Sequence, residues 1–159
     1  MQLQGECIPN LGKQQVGYRY SAEGYALTRQ FEGLRLQAYR DQAGVWTVGY
    51  GHTGLDVTEG MTVTEAEAEV LLGKDVARAL ACVEQAVKVE LSQGQVDALV
   101  DFVFNLGCGS LRGSTLLRLV NAGEFVQAAE EFPRWAHIAG KVVPGLLKRR
   151  LAEKAIFQS

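Results

Sequence analysis

The sequence predicts an α+β fold in which a small lobe, made of a helix and a β-hairpin, is joined by a long helix to a helical lobe. Three observations predict this plan: apolar residues that alternate over residues 34–50, a capping signal with a long apolar stripe after Thr64, and several helical segments beyond Ser92. With 159 residues, 47% of them hydrophobic and 21% charged, the chain suits one globular domain rather than tandem modules. We therefore expect a single domain over residues 21–159.

The first lobe is predicted to span residues 21–63. Residues 1–20 precede it as an irregular extension, because several glycines and a proline interrupt any periodic pattern there. Ser21 can accept a hydrogen bond from the first turn of a helix, which we predict to end near Phe31. Apolar and polar residues then alternate over residues 34–50, so two strands joined by a short turn are predicted.

A long helix over residues 64–88 is predicted to connect the two lobes. Thr64 and Glu67 have the spacing of a capping box, in which each side chain accepts a hydrogen bond from the other residue's backbone. Apolar residues then recur at helical spacing on one face: Val76, Leu80, Val83 and Val87. About 25 helical residues span about 37 Å, which is long enough to join two lobes.

The second lobe, predicted over residues 89–159, consists of helices whose ends carry capping residues, glycine or proline. The predicted helical segments are residues 92–107, 115–121, 124–132 and 144–157. Pro133 is expected to end the third helix, and Pro144 is expected to occupy the first position of the last one.

The charge of the chain is unevenly distributed. A net charge of −2 argues against a nucleic-acid partner. Residues 1–111 hold 8 basic and 14 acidic residues, whereas residues 112–159 hold 8 basic and 4 acidic residues. The basic run Lys148-Arg149-Arg150 in the second part could face an anionic polymer, or it could be a solvated helix face, and composition leaves both interpretations open.

The three cysteines, Cys7, Cys82 and Cys108, show neither the spacing of a metal site nor the even number of a disulfide framework. The N-terminus carries no basic and apolar signal sequence, and no window reaches 18 apolar residues. We therefore expect a chain that starts in a cytoplasm, has no segment inserted in a membrane, binds no metal and keeps its cysteines reduced.

Two acidic residues and one threonine are candidates for chemistry. Glu32 ends the first predicted helix, Asp41 lies in the hairpin turn, and Thr47 follows on the returning strand. Glycoside hydrolysis needs one carboxylic acid to protonate the leaving oxygen and one carboxylate to activate water or stabilise positive charge. The spacing alone also fits a solvated glutamate, a turn aspartate and a β-branched strand residue, so both interpretations stay open at this point.

Two longer motifs resemble a known family. The segments FEGLRLQAYRD at residues 31–41 and WTVGYGHT at residues 46–53 resemble those of the phage-type lysozymes, also called glycoside hydrolase family 24. The resemblance extends from about Ser21 to Phe157, with FNLG at residues 104–107 as a weaker motif. It implies a lysozyme-like fold and a catalytic Glu, Asp, Thr triad.

On this resemblance, Glu32 would be the general acid, Asp41 would stabilise charge, and Thr47 would position water. The implied reaction is hydrolysis of the β-1,4 bond between N-acetylmuramic acid and N-acetylglucosamine in bacterial peptidoglycan, with no cofactor. The family also implies a structural pair between His52 and Asp75 of the connecting helix. A basic residue of the last helix would pair with the catalytic Glu, and three registers are open: Lys148, Arg149 and Arg150, of which we prefer Arg149.

Three further residues are expected to bind substrate or support the site: Thr53, Phe104 and Ser114. The resemblance implies a monomeric endolysin that stays in the cytoplasm of the bacterial host until a separate holin opens the inner membrane, after which it reaches the cell wall. A lytic transglycosylase is the alternative enzyme, but it needs no Asp41 and no Thr47. A silent peptidoglycan-binding module, or a toxin domain, is the alternative from another class, and the intact triad disfavours the former.

Overall fold

The computed structural model describes residues 17–159, and it confirms the predicted α+β class. A helix and a small sheet come first, a long helix follows, and the remaining chain is mainly helical. Residues 1–16, which include Cys7 and most of the predicted extension, lie outside the described residues.

The first part contains helix α1 (Ala22–Glu32) and a three-stranded antiparallel sheet of β1 (Arg35–Arg40), β2 (Trp46–Gly49) and β3 (His52–Thr53). The Ser21 hydroxyl caps α1 by accepting a hydrogen bond from the backbone N–H of Gly24 at 3.2 Å. Strand β3 was not predicted, because two residues are too few to show an alternating pattern. The buried face of the sheet packs with the start of the long helix in a small core: Val48, Val57, Val63 and Ala68.

Helix α2 (Glu65–Ala86) has the predicted capping box, with both hydrogen bonds between Thr64 and Glu67 present. It ends two residues before the predicted end. Helix α3 (Gln93–Leu106) follows, and its middle is buried on several sides because α2 and the last helix both pack against it. The core of the larger part therefore forms around α3.

Five short elements and one longer helix complete the fold: α4 (Cys108–Arg112), α5 (Thr115–Asn121), α6 (Phe125–Ala129), a 3₁₀ helix (Phe132–Trp135), a hairpin of β4 (His137–Ile138) and β5 (Lys141–Val142), and α7 (Pro144–Phe157). The prediction of one helix over residues 124–132 is wrong. Helix α6 ends at Ala129, and Pro133 lies inside the following 3₁₀ helix instead of ending a helix. Proline is tolerated there because the first turn of a helix does not use its missing N–H.

Cys82 and Cys108 form a disulfide, so the prediction of reduced thiols is wrong for this pair. Their Cα atoms are 5.9 Å apart and their sulfur atoms 2.02 Å apart. Cys82 lies on the buried face of α2 and Cys108 begins α4, and the packing of α2 against α4 brings them together. The cysteine count is a property of the whole chain, whereas pairing depends on which residues meet in space.

We expect the Cys82–Cys108 bridge to stabilise the fold by about 3 kcal/mol, because it closes a loop of intermediate length in the unfolded chain. Urea denaturation of the oxidised protein, the reduced protein and the variant Cys82→Ala with Cys108→Ala measures this directly. Reduction and substitution should each lower the free energy of unfolding. Superimposable curves with and without reductant would contradict the expectation.

No helix between residues 17 and 159 combines the length and the apolar character needed to cross a bilayer.

Candidate active site

Glu32 lies where the first helix meets the sheet. It is the last residue of α1, and Gly33 after it has a φ of +69°, which turns the chain out of the helix. Glu32 Oε2 faces Gly51 so closely that a Cβ built at position 51 would lie 2.6 Å from it. Gly51 also has a φ of +78°. The positive φ favours glycine at this position, and any larger side chain would displace the Glu32 carboxylate from its present place.

The other oxygen of Glu32 is held by Arg149 of the last helix. Arg149 Nη1 donates to Glu32 Oε1 at 2.7 Å. Its Nε and Nη2 donate to the two oxygens of Asp101 at 2.8 and 2.9 Å. The Thr28 hydroxyl donates to Asp101 Oδ1 at 2.7 Å from the side of α1. A bidentate pair with Asp101 thus orients the guanidinium and presents Nη1 to Glu32.

Burial couples the charges of this cluster, since Arg149 is 4% exposed and Asp101 is 0% exposed. Burial alone would lower the pKa of Arg149, but the hydrogen bonds and charges of Asp101 and Glu32 outweigh burial and raise it. Burial would raise the pKa of Asp101, but hydrogen bonds, led by those from Arg149, hold that pKa below its ordinary value. Asp101 is therefore the main counter-ion of Arg149.

The basic run of the last helix does not form one surface. Lys148 is exposed, whereas Arg149 and Arg150 are buried where α7 packs against α3. Arg150 Nη2 donates to Asn105 Oδ1 and to Glu153 Oε1, each at 2.7 Å. Burial raises the pKa of Glu153 well above its ordinary value. For both arginines, the two interpretations of the run, a binding surface or a solvated face, are wrong.

Asp41 opens the turn between β1 and β2 and is held there by its own carboxylate. Its Oδ1 accepts hydrogen bonds from the backbone N–H groups of Ala43 and Val45, each at 2.9 Å. Its own N–H donates to the Val45 carbonyl at 3.0 Å. Oδ2 has no hydrogen-bond partner within residues 17–159. The turn therefore fixes one carboxylate oxygen and leaves the other for a ligand.

Thr47 occupies the central strand β2, where it pairs with Tyr39 of β1 and Thr53 of β3. Its side chain is buried, and its hydroxyl donates to the Val45 carbonyl at 3.0 Å. Because this bond uses the hydroxyl proton, the oxygen of Thr47 is left to accept a hydrogen bond, for example from water. The side chains of Asp41 and Thr47 thus both form a hydrogen bond with the backbone of Val45.

His52 links the sheet to the long helix. Its Nδ1 lies 2.8 Å from Asp75 Oδ2 on α2, the partner that the resemblance implies. Its Nε2 lies 3.0 Å from Asp56 Oδ2, a partner that the sequence did not indicate. Burial disfavours the charged form of His52, but the hydrogen bonds with both aspartates outweigh burial and raise the pKa of His52 above its ordinary value.

We expect a coupling free energy of about 1 kcal/mol or more between His52 and Asp75, because both side chains are largely buried. Since folding raises the pKa of His52, the contribution is fully present below the ordinary value of 6.5 and is lost as pH rises through the folded value. A double-mutant cycle with His52→Gln and Asp75→Asn, run by urea denaturation at about pH 5.5 and about pH 9, measures both effects. Zero coupling at the lower pH, or stronger coupling at the higher pH, would refute this expectation.

A groove of about 290 Å³ is lined by Gly51, by strand β3, by helices α2 and α3, and by the start of α4. Two of the predicted supporting residues, Thr53 and Phe104, line it. Ser114 is not among the residues that line it, and the contacts that the structure shows for its side chain are structural. Its hydroxyl is buried, donates to the Leu111 carbonyl at 2.6 Å and accepts from the backbone N–H of Leu117 at 3.0 Å. Ser114 is the N-cap of α5.

Sequence reasoning missed several residues of the site. Asp101 had a usable signal, because an acidic residue within the apolar stretch of α3 needs a buried partner. No sequence signal indicated Thr28 or Asp56. The partner of Thr28 lies on another helix, and the contact of Asp56 with His52 depends on the conformation of the loop after β3. Gly51 lies inside the motif at residues 46–53, but its closeness to Glu32 depends on how the sheet packs beside α1.

Comparison with known proteins gives consistent similarities. The family model described as phage lysozyme matches residues 29–153. An endolysin of Acyrthosiphon pisum secondary endosymbiont phage 1 is 44% identical over 143 residues, which cover 87% of this chain and 97% of that protein. An endolysin of Bacillus phage B103 is 45% identical over 139 residues, 86% of this chain. This chain spans about half of the Bacillus phage protein, 53% of its length.

The chain is also similar to a SAR-endolysin and to a solved muramidase domain. A SAR-endolysin of bacteriophage PS119 is 42% identical over 125 residues, which cover 79% of this chain and 75% of that protein. Among solved structures, the muramidase domain of SpmX from Asticaccaulis excentricus superimposes with a TM-score of 0.83 at 38% identity. That match covers 89% of this chain and 99% of the domain.

Proposed function

This chain belongs to the phage lysozyme family, and we propose on that basis that it is an endolysin that cleaves the glycan of bacterial peptidoglycan. The bond cleaved is the β-1,4 bond between N-acetylmuramic acid and N-acetylglucosamine. The observation that carries the proposal is the arrangement around Glu32: Arg149 anchors one carboxylate oxygen, and the other faces Gly51, which lines the groove.

In this proposal Glu32 is the general acid. An oxygen that accepts a hydrogen bond from a guanidinium is a poor place for a proton, so the transferable proton resides on Oε2, the atom beside Gly51. Because Asp101 already neutralises Arg149, the guanidinium can hold Glu32 in place while the carboxyl group gains and loses its proton. Protonation of the glycosidic oxygen then assists departure of the leaving sugar.

Asp41 and Thr47 act on the other side of the reaction. Asp41 carries a free Oδ2 that can face the positive charge developing on the sugar or take a proton from water. Thr47 has only acceptor capacity left, so it can hold a water molecule by one of its hydrogens. Both side chains form hydrogen bonds with Val45, which fixes the two groups relative to one another.

The alternatives fit the site less well. A lytic transglycosylase needs an acid/base Glu but no group that orients water, so Asp41 and Thr47 would have no role. A binding module without activity would need neither the anchored Glu32 nor the fixed Asp41.

Clearing of chloroform-treated Gram-negative cells tests the proposal. The purified protein should lower the turbidity of the suspension and release soluble fragments from isolated cell walls. Binding to isolated walls with no release of fragments would support a silent module and would contradict the proposal.

We expect the reaction to invert the configuration of the anomeric carbon, because a water held by Thr47 would attack that carbon from the face opposite the leaving group. Inverting carboxyl pairs leave room for this water, with a separation of about 6.5 to 9.5 Å. NMR of the first product formed from a peptidoglycan oligosaccharide measures the outcome. The α anomer should appear first, and a β anomer as first product would contradict the water-positioning role of Thr47.

For partners and location, we propose that the protein acts as a monomer on peptidoglycan and does not bind nucleic acid. A holin would release it from the cytoplasm of the bacterial host. The similarity to a SAR-endolysin makes independent export the competing route. Expression without any holin gene separates the two: lysis of intact cells would favour export, and lysis only after chloroform would favour holin dependence.

A further inference from the structure

Arg78 places a positive charge on the wall of the groove. It lies on α2, one turn after Asp75, and its side chain is exposed. Within the part of the chain that the structure describes, its guanidinium takes part in no hydrogen bond, ion pair or cation–π contact. It is also the one basic residue among those that line the described groove.

The other charges along the groove are already paired. Asp75 also lines it, but the carboxylate of Asp75 is bonded to His52 at 2.8 Å. Beside Gly51, the carboxylate of Glu32 is paired with the guanidinium of Arg149 at 2.7 Å. Of the charged residues that line the groove, Arg78 is therefore the one whose side chain has no direct partner within residues 17–159, and its positive charge can attract an anionic group of a ligand.

We propose that Arg78 binds a carboxylate carried by the substituent of the muramic acid residue next to the cleaved bond. The proposal rests on the proposed function, which places N-acetylmuramic acid at that bond. The lactyl group of this sugar ends either in its own carboxylate or, as an amide, in a peptide that carries carboxylates. In both cases the chemical group that Arg78 would bind is the same.

The geometry favours this ligand over a plain sugar. Gly51 lines the groove and faces Glu32 Oε2, so a substituent near the reacting atoms lies close to the groove. Arg78 and Phe104 lie on α2 and α3, so the same groove offers a cation and an aromatic ring. An arginine fork binds a carboxylate through two parallel hydrogen bonds, whereas a neutral sugar hydroxyl can use only one.

Binding to three glycans in the Glu32→Gln background tests the proposal without cleavage. The first glycan carries its peptides, the second is peptidoglycan stripped of peptide so that the lactyl carboxylate is free, and the third is an N-acetylglucosamine oligomer without carboxylates. We expect Arg78→Gln to weaken binding of one of the first two glycans about tenfold or more and to leave the third unchanged. The affected glycan identifies whether the carboxylate belongs to the peptide or to the lactyl group.

Two matched variants keep the result specific. Arg78→Lys retains the charge but not the fork, so it should recover part of the lost affinity. Arg118→Gln removes the same charge from an exposed position on α5, which is not part of the groove, and should leave binding of all three glycans unchanged. Added salt should weaken the parent more than Arg78→Gln, because screening acts on the charge that the variant lacks.

The outcomes separate this proposal from the proposed function. Unchanged binding of both carboxylate-bearing glycans by Arg78→Gln, or an equal loss for the neutral oligomer, would overturn the role of Arg78. Failure of the parent protein to cleave peptidoglycan would overturn the proposed function instead, whatever the binding measurements show.

Discussion

Glu32→Gln is expected to abolish lysis while the protein stays folded. The amide has nearly the same shape as the carboxyl group, and its oxygen can still accept the hydrogen bond from Arg149 Nη1. It cannot supply a proton of suitable acidity to the leaving oxygen, and loss of a general acid lowers a rate by about 10²- to 10⁴-fold. Turbidity assays of parent and variant, with thermal melts of both, measure activity and folding separately.

Glu23→Gln is the matched control, because Glu23 is an exposed residue in the first turn of the same helix. It loses the same charge and should keep full activity. If Glu32→Gln kept activity within tenfold of the parent, the assignment of Glu32 as the general acid would be wrong.

Asp41→Asn is expected to reduce activity at least about a hundredfold, because in the proposed mechanism it removes the negative charge that stabilises the oxocarbenium-like transition state. The asparagine oxygen can still accept from the N–H groups of Ala43 and Val45, so the turn should persist. Steady-state assays on cell-wall fragments should show the loss mainly in kcat. A loss below tenfold at an unchanged melting temperature would count against a role for Asp41 in the chemistry.

Glu59→Gln serves as the control for Asp41, since Glu59 is an exposed acid in the loop that leads to α2. Its loss should leave the rate unchanged. An equal fall in both variants would instead point to a general effect of charge on binding to the anionic wall.

Local signals predicted those parts of the fold that depend on neighbouring residues. Ser21 and Thr64 cap the helices that they were predicted to cap, because a capping side chain bonds backbone groups within the first turn of its helix. Pro144 begins the last helix for a similar local reason. The prediction for the segment after α6 was wrong because the burial of Phe132 and the 3₁₀ geometry around Pro133 depend on packing against other helices.

The site divides in the same way. Glu32, Asp41 and Thr47 lie in short motifs whose helix, turn and strand contexts are local, and the structure places them in those contexts. The roles of Asp101 and the disulfide partner of Cys82 were not found, because they depend on contacts between residues far apart in the sequence. Arg150 illustrates the limit, since adjacent basic residues suggested a surface, whereas packing of α7 buries it. Arg149 is buried as well, but it contacts Glu32, as the resemblance implied.

Analysis of the new chain ends in digested peptidoglycan tests the central claim most directly. Isolated walls would be digested, reduced with borohydride and examined by mass spectrometry, with Glu32→Gln as the inactive reference. Hydrolysis of the proposed bond predicts reduced muramic acid at every new end. Reduced glucosamine ends would show cleavage of the other glycosidic bond, and 1,6-anhydromuramic acid ends would show a transglycosylase; either result would contradict the proposal.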